Sequence, residues 1–148
     1  LATDVPLYPL DNIAYEQDGT LVEQGVFNQM HEDILAQESW IIDGFGSVSS
    51  FNLRLDAADT LIYIDLPYWI SYWLVTKRML KGIFVAPEGW PDGSSIVKGT
   101  IQSYKTLKLC PKFWHGQFAE ELENRYRDKS VYVIRSVSAL NRFIQEQI

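Results

Sequence analysis

Charged side chains close several short apolar runs of this chain, at points where a buried strand would end. Three aspartates share this position: Asp11, Asp43 and Asp65. A fourth run, SVYVIR, closes on Arg135 and is followed by Ser136. An unpaired carboxylate inside a strand that is buried on both faces is costly, so we expect these residues at strand ends. Ligands of open parallel sheets bind beyond the carboxyl ends of the strands, which predicts a ligand site among these side chains.

Asp43 is the most informative of these residues because of the glycines that follow it. The run WIIDGFG contains Asp43, Gly44 and Gly46 in its last four positions. Glycine lets the backbone turn tightly and lets a ligand approach closely. We therefore predict that Asp43 lies at an edge where solvent, metal and ligand meet. The alternative is a solvated loop carboxylate that caps the next helix.

Apolar runs alternate with helical patterns along the chain. The predicted strands are PLYPLD, WIIDG, TLIYID and SVYVIR. The predicted helices are TLVEQGVFNQMHEDILAQE, SFNLRLDAA, YWISYWLVTKRMLK, IVKGTIQSYKTLKL, KFWHGQFAEELENRY and VSALNRFIQEQI. Thr20 and Glu23 have the spacing of a capping box at the first helix, and Ser136 is the predicted N-cap of the last. Strands that are apolar throughout and separated by helices predict an α/β domain with a parallel sheet.

Length and composition favour one compact domain, 1–148. The chain is 47% hydrophobic and 14% aromatic, which is enough to fill a core. Its net charge of -6 disfavours binding to a nucleic-acid backbone. The longest apolar run, LIYIDLPYWISYWLV, is shorter than a bilayer span and contains Asp65 and Pro67, which argues against a membrane helix. The single cysteine, Cys110, cannot form an internal disulfide, so a cytoplasmic location is expected.

The order of these segments resembles that of the adenylate-kinase-like P-loop kinases over nearly the whole chain. The similarity is carried by PLYPLDNIAY, WIIDG, LRLDAADTLIYIDLP, YWISYWLVTKRML, VYVIRS and SALNRFI. Within that family, the chain is most similar to the small bacterial group of DNA topology modulation proteins. The resemblance implies a three-layer sandwich around five parallel strands, with a lid inserted here at 82–97. It also implies transfer of the γ-phosphoryl group of ATP to a small acceptor, with Mg²⁺.

The resemblance also implies roles for individual residues. Asp43 corresponds to the acidic residue that orients the Mg²⁺ shell, commonly through water, and Gly44 to the turn that faces the acceptor. Arg78 corresponds to a catalytic arginine that packs over the adenine and reaches the phosphates. The remaining expected contacts are those of Asp11 and Arg54 with the acceptor, and those of Arg135 and Ser136 with the nucleotide.

Three of these residues have a structural alternative. Asp11 is also explained as a turn residue in LDN. Arg54 suits phosphate because its guanidinium is a planar fork, but a salt bridge with Asp56 or Asp59 at a helix surface explains it as well. Arg78 lies near a helix C-terminus and complements the helix macrodipole without any ligand.

The remaining candidate residues are interpreted as packing residues and not as catalytic or metal-binding residues. The aromatic residues of the third predicted helix are interpreted as core: Tyr68, Trp69, Tyr72 and Trp73. His31 and His115 have no partner at metal-ligand spacing, so no zinc site is predicted. Cys110 is interpreted as a small core thiol, and Trp90 as a lid contact.

One part of the family pattern is missing from the 148 residues. The first strand and the Gly-rich phosphate loop, with its lysine and Ser/Thr, have no counterpart here. The chain opens on Leu1, and LATDVPLY resembles the segment just after the family's first helix, so we expect the loop to lie upstream. A protein that has the loop is expected to be an ATP-dependent kinase, and the alternative is a non-catalytic, regulatory member of the same fold that binds a nucleotide or a partner. Nucleic acid and membranes are not expected partners.

Overall fold

The computed structural model of the chain describes residues 4–16, 20–82, 96–114 and 116–147. These residues form two compact units, of which the first ends at Ala58 and the second begins at Asp59. Of the predicted lid at 82–97, residues 83–95 lie outside the described residues, as do Trp90 and His115. The single domain and the lid therefore stay predictions.

The first unit contains a pair of parallel strands and three helices. Its elements are β1 (Leu7–Pro9), α1 (Asp11–Ala14), α2 (Gln24–Leu35), β2 (Ile41–Asp43) and α3 (Val48–Ala57). In the strand pair, Leu7 lies opposite Ile41 and Pro9 opposite Asp43. α1 and α2 lie in the crossover connection between β1 and β2, which parallel strands require.

One face of α2 supplies most of the first unit's core. Phe27, His31 and Ile34 are buried and follow one another at spacings of four and three residues, which is the repeat of a single helix face. Leu10, between β1 and α1, is 1% exposed and is the largest apolar side chain to be fully buried. The core of this unit therefore contains an imidazole among apolar side chains.

The second unit holds the other parallel pair. Its elements are β3 (Thr60–Ile64), α4 (Tyr68–Gly82), α5 (Ile96–Leu109), a 3-10 turn (Cys110–Lys112), α6 (Phe118–Arg125), β4 (Ser130–Ile134) and α7 (Val137–Gln147). The two strands are parallel from Thr60 opposite Ser130 to Ile64 opposite Ile134. Its buried apolar residues include Leu61, Ala119, Leu122, Tyr126 and Ile134.

The α/β class and the parallel direction of the strands are confirmed. The described residues contain seven α-helices and two parallel sheets of two strands each. All of the predicted strands are present, and α5 has the predicted limits. Ser136 caps α7 as predicted, since its Oγ accepts a hydrogen bond from the Ala139 N–H at 3.1 Å.

The predicted capping box of Thr20 and Glu23 is wrong. The Glu16 N–H donates to the Thr20 carbonyl at 2.8 Å, and Tyr15 forms an antiparallel bridge with Leu21. The backbone is therefore extended where a helix was expected, and α2 begins only at Gln24, with no side-chain cap. A reciprocal capping box occurs instead at the start of α3, between Ser47 and Ser50.

Two further expectations for the second unit are corrected. Trp69 and Trp73 are exposed on α4, at 70% and 56%, whereas both were expected in the core. Tyr72 does pack, because its ring stacks on Tyr104 of α5 at 5.7 Å between centroids. The segment KFWHGQFAEELENRY is helical only from Phe118, since a 3-10 turn precedes it. No helix among the described residues has both the length and the apolar character needed to cross a membrane.

A glycine substitution tests the tight turn after β2. Gly46 has φ 65°, and an added Cβ would lie 2.9 Å from Ser50 Oγ and 3.1 Å from Leu10 Cδ1. We expect Gly46→Ala to lower the free energy of unfolding by about 1–3 kcal/mol, because backbone strain and overpacking add. Urea denaturation followed by circular dichroism measures it. In Gly116→Ala the Cβ meets nothing within 4 Å, so equal losses in both variants would contradict the assignment of strain to Gly46.

Candidate functional site

The turn after β2 presents the exposed carboxylate of Asp43 at the carboxyl end of the first strand pair. The Leu10 N–H donates to the Asp43 carbonyl at 2.8 Å, so the turn begins beside the end of β1. Gly44 and Gly46 have φ values of 115° and 65°, in the region that side chains rarely adopt. Asp11 is exposed at the first position of α1. Parallel pairing therefore brings Asp11 and Asp43 to the same end of this pair, as predicted, and their ligand roles stay predictions.

Arg54 reaches this turn from the last part of α3. Its Nη2 donates to the carbonyl of Gly44 at 3.2 Å and to the carbonyl of Phe45. Its Nη1 donates to Ser50 Oγ at 3.3 Å. Arg54 is only 6% exposed, and burial lowers the pKa of its guanidinium to about 10, so the group is charged at neutral pH. A buried charge requires such partners because its removal from water is costly.

A histidine completes the buried cluster around Arg54. His31 is 2% exposed, and its Nε2 lies 3.4 Å from Nη1 of Arg54. Its ring stacks on Phe27 with centroids 6.0 Å apart. A guanidinium has donors only, so Nε2 must be the acceptor. This contact therefore requires the neutral ring with its proton on Nδ1.

Both burial and charge favour the neutral form of His31. Burial is the larger cause that lowers the pKa of His31, the charge of Arg54 is the second, and Glu32 acts in the opposite direction. Two like unit charges about 4 Å apart repel by about 4 kcal/mol at an effective dielectric constant of 20. Protonation of His31 is therefore opposed by a cation in direct contact with it.

The sequence placed Arg54 in the site but did not identify its partners. The guanidinium bonds two backbone carbonyls and a serine hydroxyl, in place of the expected helix-surface contact with Asp56 or Asp59. Its role as an acceptor ligand stays a prediction. The sequence considered His31 only as a zinc ligand and did not identify it as a buried partner of Arg54, although its spacing from Phe27 and Ile34 on one helix face was a visible signal.

The second strand pair brings Asp65 and Arg135 together at its carboxyl end. The Asp65 N–H donates to the Ile134 carbonyl at 2.9 Å, which continues the ladder one residue past β3. The Arg135 Nε lies 3.6 Å from Asp65 Oδ2, with the two side chains 62% and 38% exposed. An exposed pair of this kind contributes at most about 1 kcal/mol to stability. Strand register therefore sets this arrangement, and Ser136 beside it caps α7.

A cleft of about 170 Å³ lies beside the end of β3. Its lining includes Tyr63, Asp65, Tyr68, Cys110 and Trp114, and the Tyr68 hydroxyl donates to the Trp114 carbonyl at 3.3 Å. Burial is the largest cause that raises the pKa of Tyr63 to about 12, and it also raises the pKa values of Tyr68 and Cys110. Cys110 is thus a buried neutral thiol at pH 7, and the cleft offers aromatic surface beside one carboxylate.

Arg78 lies on the exposed side of α4 and contacts α5. Its Nη2 donates to Ser103 Oγ at 3.1 Å. Two residues earlier, Thr76 Oγ1 donates to the Tyr72 carbonyl at 2.8 Å and lies 2.6 Å from the Tyr104 hydroxyl. Arg78 therefore belongs to a polar contact between the two helices, and its predicted contact with a nucleotide remains untested.

Of the two expected cofactors, Mg²⁺ fits the residues present, whereas the triphosphate of ATP does not. They contain no group of three or more His, Cys, Asp or Glu side chains that could hold a metal ion. Mg²⁺ is often held by one or two carboxylates with water and substrate phosphates, and the exposed Asp43 fits that pattern. The 148 residues include no Gly-rich loop with a following lysine, which is the sequence pattern that cradles a triphosphate.

Comparison with known proteins adds no relative. No protein-family model, no curated protein and no solved structure matches this chain. We therefore infer a function from the geometry of the two units.

Substitution of Arg54 tests whether it holds the turn. We expect Arg54→Met to lower the free energy of unfolding by about 3 kcal/mol, because the carbonyls of Gly44 and Phe45 lose charged donors. Arg54→Lys should recover only part of this loss, since a single ammonium cannot match the planar fork. The measurement is urea denaturation.

The matched control for Arg54 is an exposed arginine. Arg127 donates to Asn124 Oδ1 at 2.9 Å on the surface, and Arg127→Met should change the free energy of unfolding by no more than about 0.5 kcal/mol. If both methionine variants were equally stable, the guanidinium of Arg54 would not be holding the turn.

Proposed function

We propose that this chain is part of an ATP-dependent small-molecule kinase of the adenylate-kinase-like type. The observation that carries the proposal is the position of Asp43 and of the Asp65–Arg135 pair, each at the carboxyl end of a parallel strand pair. In parallel α/β proteins that edge is where phosphorylated ligands bind. The acceptor is a small molecule with a hydroxyl or phosphate group.

The pairing of the strands supports the finer fold that this proposal needs. In the described residues, β1 pairs with β2 and β3 pairs with β4, and each pair is a sheet of its own. A three-layer P-loop sandwich has five strands, and without the central strand the other four form two such pairs. The central strand of that fold is the one that leads into the phosphate loop, which the 148 residues lack.

The proposal assigns roles that match the chemistry of the exposed side chains. Asp43 orients the water shell of Mg²⁺, and the backbone of Gly44 faces the acceptor. Asp11 orients the acceptor or accepts its proton. Arg78 contacts the phosphates. The nucleotide contacts at the second strand pair are Arg135 and Ser136. ATP supplies the phosphoryl group, and the metal neutralises charge on it.

A second candidate function is nucleotide binding without catalysis. It is favoured by the internal contacts of the arginines, because Arg54, Arg78 and Arg135 each bond or pair with groups of this chain. A phosphate would have to compete with those partners.

Activity of the natural full-length protein separates the two candidates. ATP consumption is measured with a panel of nucleoside monophosphates and small alcohols, and ATP binding is measured in parallel by calorimetry. Turnover with any acceptor supports the kinase. Binding of ATP without turnover supports the non-catalytic alternative, and the absence of both contradicts the two proposals together.

Asp43→Asn tests the metal-orienting role in the same protein. We expect turnover to fall about 10- to 100-fold, with little change in the dissociation constant for ATP, because the amide no longer holds the metal shell. The matched control is Asp33→Asn, which keeps an Oδ1 acceptor for the Gln29 side chain on α2. Retention of most of the activity by Asp43→Asn would show that Asp43 does not orient the metal.

A further inference from the structure

A chain of buried polar contacts links His31 to the turn after β2. His31 Nε2 meets Nη1 of Arg54 at 3.4 Å, and Nη2 of the same guanidinium donates to the carbonyls of Gly44 and Phe45. His31 and Arg54 are at least nine-tenths buried, at 2% and 6% exposed. The cluster thus couples an imidazole, whose ordinary pKa is 6.5, to the backbone that follows Asp43.

We propose that His31 and Arg54 form a proton-controlled clamp, which holds the Asp43–Ser47 turn when His31 is neutral and releases it when His31 is protonated. This inference does not rest on the proposed kinase activity. It rests on the contacts, the burial and the backbone conformation of the first unit.

Protonation changes the His31–Arg54 contact from favourable to repulsive. The neutral ring offers Nε2 as an acceptor to a guanidinium that can only donate. The protonated ring carries a donor at both nitrogens, so two donors and two positive charges would face each other. Arg54 must then move away from His31, and its bonds to the carbonyls of Gly44 and Phe45 move with it.

The other charges near His31 do not cancel this repulsion. Arg54 on α3 lowers the pKa of His31, and Glu32, the next residue on α2, raises it by a smaller amount. The neighbouring element α1 carries Asp11, whose side chain is exposed and does not contribute to the shift. The net effect is a pKa below the ordinary value of 6.5, with burial as its largest cause.

The turn is built so that its middle can move while its ends stay fixed. At one end the Leu10 N–H holds the Asp43 carbonyl, and at the other the Ser47 capping box starts α3. Between them Gly44 and Gly46 have positive φ values, and glycine has more accessible conformations than any other residue. Loss of the guanidinium contacts therefore frees the middle of the turn without unfolding β2 or α3.

A proton can reach His31 through a cleft between α2 and α3. The cleft has a volume of about 130 Å³, and its lining includes His31, Glu32, Ser49 and Ser50. It is large enough for water and has polar walls. His31 is therefore buried in the structure but adjacent to a polar path to solvent.

The pH dependence follows from the direction of the pKa shift. The folded chain binds a proton at His31 less readily than the unfolded chain, in which the ordinary value of 6.5 applies. The stability contributed by the neutral contact is therefore fully present above pH 6.5. It is lost as the pH falls from 6.5 through the lower pKa of the folded state.

An NMR titration of the wild-type chain tests the clamp. The His31 ring proton and the amides of Gly44 and Gly46 are followed from about pH 7.5 to pH 5, above the range in which most carboxylates titrate. We expect the glycine amides to shift with the same midpoint as His31, and that midpoint to lie below 6.5. The ring signals of His115 are identified from His115→Gln.

His31→Gln is the matched variant, because its amide oxygen can accept from Arg54 at every pH. We expect the shifts of the Gly44 and Gly46 amides over this pH range to disappear in the variant. Shifts of equal size in His31→Gln would overturn the proposal. The wild-type titration overturns it independently if the glycine amides do not follow His31, so the test does not depend on how well the variant folds.

Discussion

A buried guanidinium that needs acceptors is the interaction on which the first unit depends. The side chain of Arg54 is charged at neutral pH, and the carbonyls of Gly44 and Phe45 accept its hydrogen bonds inside the unit. Those carbonyls point at the guanidinium only because the turn contains glycines with positive φ values. The burial of this charge therefore depends on three features together. They are the sharp end of β2, the two glycines and the length of α3.

The second unit brings its charged groups together by a different means. Asp65 and Arg135 lie at the solvent side of β3 and β4, where an ion pair contributes little to stability. Their proximity follows from the parallel register of the two strands, which continues to the Asp65 N–H. A ligand that competed for either group would therefore disturb a weak contact without affecting the fold of the unit.

The proposed kinase function needs both kinds of group, those held by a buried cluster and those in weak exposed contacts. Asp43 is an exposed group on a turn that a buried cluster fixes, which suits a residue that must orient a metal shell. Asp65 and Arg135 are exposed groups at a strand end, where exchange of partners is easy. Arg54 differs from these exposed groups, because its N–H groups already donate to backbone carbonyls. Its contribution to a site would be to position Asp43.

The sequence by itself determined the α/β class, the four strands, the limits of α5 and the Ser136 cap, because these follow from patterns of neighbouring residues. It also placed Asp43, Asp65 and Arg135 at the ends of their strands, whereas Asp11, expected to end β1, is the first residue of α1. The partners of Arg54, the burial of His31 and the late start of α2 were decided by tertiary structure. The first two depend on groups distant along the chain, such as His31 and Arg54, which are 23 positions apart, and a local pattern carries no information on which distant groups will meet. The late start of α2 goes with the bridge between Tyr15 and Leu21, which the helical pattern did not indicate.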